Sequence, residues 1–295
     1  MTATTAHDAS EHAMPMPDGT KLFYRAWEPN EPAKRALVLF HRGHEHSGRF
    51  EDVVEQLGLK QTAVFAWDAR GHGRSPGERG YAPSFATTAH DIEHFVKGLS
   101  SAHGYAIEDM IVLGHSVGAV SVVAQIHDYA PPIRGLILVT PAFRVRLYVP
   151  LAIPGLRLLE RLRGQRRTFI KSYVKSKMLT HDSQQAERYD NDPLITRAIA
   201  VNILLELHDT ATRLIGDAPA IHTPTLLLSA GSDWVVKHEA QRRFFDRLAA
   251  SLKRIRTFSD MYHDLLHERE RTPVLEEIRS FLSDLDREPR PDPRA

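Results

Sequence analysis

The chain has 295 residues, 42% of them apolar, with 38 basic against 37 acidic side chains and no cysteine. That balance describes a globular chain with a sizeable core and excludes a disordered or fibrous one. It also excludes disulfides and thiolate metal sites, and it leaves no overall field to gather nucleic acid.

Met1 to Gly19 carries Asp8, Glu11, Asp18 and several histidines without an apolar h-region, so residues 1–19 read as a flexible N-terminus and not as a signal peptide. No run approaches the roughly 18 apolar residues that span a bilayer. A cytoplasmic protein fits, with any membrane contact peripheral at the inner face. Runs rich in β-branched and aromatic residues follow, and each predicts a strand: Lys21 to Trp27, Ala36 to His41, Thr62 to Trp67, Met110 to Leu113, Gly135 to Val139, Thr225 to Ser229 and Ile255 to Phe258. The runs starting at Ala36 and at Leu136 are apolar on both faces, which places them mid-sheet. Helical spacing appears between them, as in Thr88 to Leu99 and Glu239 to Leu252. The expected fold is α/β, a mostly parallel sheet with helices on both faces. From about 142 to 216 the alternation stops in favour of helical pattern with no convincing strand, which predicts an inserted cap within a domain of residues 20–285. Residues 286–295 combine proline with charge and predict a disordered tail.

Residues 110–126 read as an apolar strand, then Gly114-His-Ser116-Val117-Gly118, then an apolar helix. A strand turning directly into a helix strains the central residue and presents its hydroxyl beside the first free N–H groups of the helix. Ser116 is therefore the candidate nucleophile, and Ser121, inside the helix, is a packed serine. A serine needs a base, and the base needs a group to orient it. Asp233 follows the strand Thr225 to Ser229, and His263 follows the last strand, in the order acid then histidine that this motif demands. His267 is the competing base, expected in the first turn of the final helix as a surface or supporting residue. Asp260 and Asp264 read as ordinary loop or N-cap carboxylates.

With these residues the chain resembles the monoacylglycerol lipase and lysophospholipase branch of the α/β-hydrolases, a serine aminopeptidase S33-type domain. Supporting stretches are His41-Arg-Gly-His-Glu-His-Ser-Gly-Arg49, Asp68-Ala-Arg-Gly-His-Gly-Arg-Ser75, Asp192-Pro-Leu and Tyr262-His263, spread over almost the whole chain. The resemblance implies the α/β-hydrolase fold, ester cleavage without a cofactor, and an oxyanion hole from the backbone N–H groups of Gly43 and Val117. The family usually has His-Gly-x-Gly where this chain has His41-Arg42-Gly43-His44, so Arg42 and His44 join His115 and Tyr148 as expected substrate contacts. Phe40 to Tyr81 also resembles a bacterial subgroup in which such a hydrolase precedes a methyltransferase, which implies a methyltransferase partner. Acyl transfer, thioester cleavage and non-catalytic lipid or partner binding are the alternatives. His41, His44 and His46 have a spacing that suggests metal, but no second cluster completes a ligand set, so no metal is expected.

Between Ala142 and Thr180 ten Arg and Lys residues stand against one Glu, interleaved with leucines. A segment both basic and apolar suits an anionic lipid surface and a single-chain ester or lipid substrate; a solvated basic face is the plainer reading. No nucleic-acid reading motif accompanies it.

Overall fold

The computed structural model describes residues 9–163 and 167–291. Strand β1 (Ser10–Pro15) leads into β2 (Lys21–Trp27), β3 (Arg35–Phe40), α1 (Glu51–Leu57), β4 (Thr62–Trp67), α2 (Phe85–His103), β5 (Met110–His115), α3 (Val117–Tyr129) and β6 (Gly135–Val139). The cap then supplies α4 (Ala152–Arg163), β7 (Phe169–Lys171), α5 (Ser183–Asn191), β8 (Ala198–Ala200) and α6 (Val201–Asp217). The chain returns to the sheet through β9 (Thr225–Ala230), α7 (His238–Arg247), β10 (Lys253–Phe258) and α8 (Thr272–Leu285).

The main sheet runs β1-β2-β4-β3-β5-β6-β9-β10. All pairs from β4 to β10 are parallel, and only β2 pairs antiparallel, with β1 and β4. Strands β3, β5, β6 and β9 are apolar on both faces because each face is covered. Ile92, Phe95, Val122 and Phe244 from α2, α3 and α7 close one side, and Val53, Leu57, Ile278 and Phe281 from α1 and α8 close the other. This is the α/β-hydrolase architecture. Parallel strands bring the loops after β3, β5, β9 and β10 to one edge of the sheet.

Four expectations need correcting. Residues 10–15 of the supposed flexible N-terminus form an edge strand, since β2 offers an open row of backbone partners; residues 1–8 lie outside the described residues. The cap is not purely helical: β7 and β8 pair antiparallel, each too short to show a period. Helix α7 stops at Arg247, where the Lys253 ammonium bonds the Phe245 and Leu248 carbonyls and stands in for further helical donors. The start of the expected tail is held to the body, because polar groups at the lower edge of the sheet receive its charges and carbonyls. Arg35 donates to Leu282 O and Asp286, Arg134 donates to the carbonyls of Leu285 and Glu288, and Arg290 pairs with Asp109. Residues 292–295 lie outside the described residues.

Among the described residues no helix is long and apolar enough to cross a membrane.

Candidate active site

Ser116 sits between β5 and α3 at φ 55° and ψ −112°, backbone angles that a residue with a side chain adopts only under constraint. The constraint comes from both neighbouring glycines. A Cβ on Gly114 would lie 2.5 Å from Ala119 Cα, and one on Gly118 would lie 2.4 Å from the His41 carbonyl oxygen. Ser116 N–H donates to Val139 O at 2.9 Å, and its carbonyl accepts from Ala142, so β6 and the start of the cap grip the turn.

Three loops meet at this hydroxyl. His263 Nε2 lies 2.8 Å from Ser116 Oγ, and His263 Nδ1 lies 2.8 Å from Asp233 Oδ2. The other oxygen of Asp233 accepts from the Val235 and Val236 N–H groups at 2.7 and 2.9 Å, which fixes the plane of the carboxylate. Burial works against its ionisation, but His263 and these two N–H groups outweigh burial and lower the carboxyl pKa. Thr140 Oγ1 donates to the His263 carbonyl and steadies the loop from β6. Gly43 and Val117 lie against each other: a Cβ on Gly43 would touch Val117 Cγ2 at 3.3 Å. Neither N–H is bonded to an acceptor among the described residues.

These groups open onto a cavity of about 200 Å³ lined mainly by apolar side chains, with Val145, Leu147, Leu204 and Leu207 coming from the cap segment. Gly43 and Val117 line it together with Ser116 and His263.

The four expected substrate contacts divide. Arg42 and His44 line the cavity, while His115 and Tyr148 do not. The Arg42 guanidinium is engaged inside the protein: Nη2 donates to Glu45 at 2.7 Å, Nε lies 3.5 Å from Asp264, and the ring of Tyr189 from the cap lies 4.8 Å away. Burial would lower its pKa, but the two carboxylates prevail and raise it. His44 stands at φ 77°, and burial followed by the Arg42 charge lowers its ring to about 4. Its Nε2 is buried without a partner. His115 turns away from the cavity because neighbours along a strand alternate sides; its Nε2 lies 3.9 Å from Asp264, and burial lowers it to about 3. Tyr148 points outward, donating to Trp234 O at 2.6 Å, while its neighbour Leu147 points in.

Sequence reasoning missed a buried ionic group behind the triad. His267 lies in a 3-10 turn (Leu265–His267) before α8, not within the helix, and is 1% exposed. Its Nδ1 faces Asp264 Oδ1 at 2.8 Å and its Nε2 faces Arg49 O at 2.7 Å. Asp264 is thus no surface cap but the shared partner of His267 and Arg42. Only the strand-to-loop position of Asp264 hinted at this. Asp260, in contrast, lies exposed in the turn after β10.

His41, His44 and His46, whose spacing alone suggested metal, have separate surroundings. His41 bonds the Arg42 carbonyl and Ala69 N–H, His46 bonds Asp192 of the cap at 2.8 Å, and His44 bonds neither. Among the described residues no group of three or more His, Cys, Asp or Glu is arranged to hold a metal ion.

Residues 31–270 match the family model described as serine aminopeptidase, S33. The chain is an α/β-hydrolase of the serine aminopeptidase S33 family. This hydrolase is 52% identical over 276 residues to the uncharacterized protein YnbC of Escherichia coli, matching 93% of its own length but 47% of that relative's, so it spans about half of the longer protein. It is 26% identical to a monoacylglycerol lipase of Mycolicibacterium smegmatis over 92% of this chain and 96% of that one. The crystal structure of Paleococcus ferrophilus monoacylglycerol lipase superposes with a TM-score of 0.79 at 26% identity, covering 90% of this hydrolase and 99% of that chain.

Proposed function

We propose that this hydrolase cleaves carboxylic esters of single-chain lipids, such as monoacylglycerols or lysophospholipids, through an acyl-enzyme on Ser116. The observation that carries the proposal is the hydrogen-bonded line from Ser116 through His263 to Asp233, with 2.8 Å at each link, at an apolar cavity. Ser116 Oγ attacks the ester carbonyl while His263 Nε2 takes its proton, and the N–H groups of Gly43 and Val117 receive the oxyanion. Protonated His263 then gives its proton to the departing alcohol, and water repeats the steps to free the acid. The monoacylglycerol lipases among the relatives support this substrate class.

The family model also names aminopeptidases, and the cavity argues against that activity here. A buried α-ammonium group is best met by a carboxylate, and no Asp or Glu lines the cavity among the described residues.

The cap supports a second element of the proposal, peripheral docking on an anionic membrane. Val149, Leu151, Leu158 and Leu162 of the cap are 68%, 79%, 58% and 76% exposed, and Tyr148 and Trp234 are exposed as well. Part of the basic charge is spent internally: Arg144 and Arg146 bond backbone carbonyls, and Arg157 and Arg167 pair with Asp209 and Glu78. The apolar residues therefore contribute more to docking than the charge count suggests. The methyltransferase partner remains part of this proposal, supported by the length of the YnbC relative.

Two experiments test these readings. A fluorophosphonate probe labels the wild type and not Ser116→Ala, and p-nitrophenyl esters turn over while aminoacyl p-nitroanilides do not; labelling that persists in Ser116→Ala sinks the mechanism. Leu158→Glu with Leu162→Glu lowers binding to vesicles rich in phosphatidylglycerol, and unchanged binding removes the docking surface.

A further inference from the structure

The cavity is lined mainly by apolar side chains, and the loops after β3 and β4 bring three histidines to it, His41, His44 and His72. His41 has no free nitrogen, since Nδ1 faces the Arg42 carbonyl at 2.7 Å and Nε2 accepts from Ala69 N–H at 3.0 Å. His72 packs against it with ring centroids 5.3 Å apart. The Nδ1 of His72 lies 3.0 Å from the Arg70 carbonyl oxygen, which can only accept, so Nδ1 carries the hydrogen. Burial, then the nearby His41, lowers the ring to about 3, so at ordinary pH it holds one proton. That proton is committed to Arg70 O, which leaves Nε2 as a lone pair. Unlike the sealed Nε2 atoms of His44 and His115, it stays accessible, and it bonds to no described residue.

We propose that His72 accepts a hydrogen bond from a hydroxyl group of the substrate and so makes this site prefer hydroxyl-bearing esters over plain alkyl esters. The inference rests on the ester-hydrolase reading and adds a specificity residue to it. An imidazole locked as an acceptor rewards a donor and gives nothing to a phosphate oxygen or a hydrocarbon. The hydroxyl can belong to the alcohol or to the acyl chain, and the test separates the two.

The experiment measures kcat/KM of the full chain on ethyl octanoate, the glycerol monoester of octanoic acid, and the ethyl ester of the β-hydroxylated acid. Wild type, His72→Phe and His72→Gln are compared by the ratio of each hydroxylated ester to ethyl octanoate, which cancels any general loss of activity. The expected result is a wild-type ratio above one for at least one hydroxylated ester, falling about 3- to 10-fold in His72→Phe. It recovers in His72→Gln, whose amide oxygen accepts. The ester whose ratio falls shows which part of the substrate carries the hydroxyl. A ratio unchanged by His72→Phe overturns the proposal, as does a wild-type ratio of one or less for both esters, which requires no variant to fold. Fluorophosphonate labelling and turnover of ethyl octanoate report the hydrolase reading independently: if both persist while the ratio stays flat, only the role of His72 falls.

Discussion

His267 and Asp264 hold opposite charges in a place where neither would stand alone. Both ring nitrogens of His267 face acceptors, so the imidazolium fits the site better than the neutral ring. Burial would lower its pKa, but Asp264 outweighs burial and raises it; Asp264 is held well below the usual carboxylate range despite its own burial, by His267 and Arg42. A raised folded pKa gives stability that is complete below the unfolded value of 6.5 and is lost as pH rises through the folded value. The Asp264 contribution has the opposite sense and disappears only at strongly acid pH, as its folded pKa is crossed. Thermal melts of wild type should therefore decline on the alkaline side of about pH 6.5, and His267→Gln should lower the melting temperature while flattening that decline. An equal alkaline slope in both proteins refutes the assignment. Ser116, Asp233 and His263 were legible in the sequence because each stands in the turn or loop after a strand, Ser116 and Asp233 after the buried β5 and β9 and His263 after the edge strand β10. The ionic group behind them was not, since Arg42 stands more than two hundred residues before Asp264 and His267, and pairing across that distance leaves no local pattern.

The turn between β5 and α3 depends on backbone packed against backbone. Gly118 approaches the carbonyls of Phe40 and His41 so closely that a methyl group would lie 2.7 and 2.4 Å from them, and no side chain is free to move aside. Gly118→Ala should destabilise the fold by about 1 to 3 kcal/mol and displace the adjoining Gly43 loop. Both effects are measurable, by urea unfolding and by the fluorophosphonate labelling rate; wild-type values for both would show that the turn has slack. The strands that frame it were readable: β2, β4 and β6 begin and end where their apolar runs do. Elements defined by a partner were harder to see. Strand β1 is mostly exposed and exists through its ladder with β2, and β7 and β8 have three residues each. The end of α7 was likewise decided by Lys253, a residue of the next strand.

Across the molecule, His115 is buried and His44 and His72 are partly buried, with ring pKa values lowered to about 4 for His44 and about 3 for His72 and His115. In the unfolded chain each takes up a proton near 6.5, so between that value and the folded one acid favours unfolding. Each contributes a loss of about 1.4 kcal/mol per pH unit over that interval. Stability from urea unfolding should fall steeply as pH drops from about 6.5 to 4.5, and His115→Phe should remove about one proton's share of the slope. A slope indifferent to this replacement would show that the ring charges in the native state. The same architecture separates the chemistry from the end of α8. Arg35 and Arg134, at the starting ends of β3 and β6, clasp the last turn of that helix, whereas Ser116 stands at the finishing end of β5. A bead, dye or electrode linker attached near residue 291 would therefore leave from the side of the molecule remote from the entrance, and the immobilised protein would keep its mouth turned toward the bulk solution.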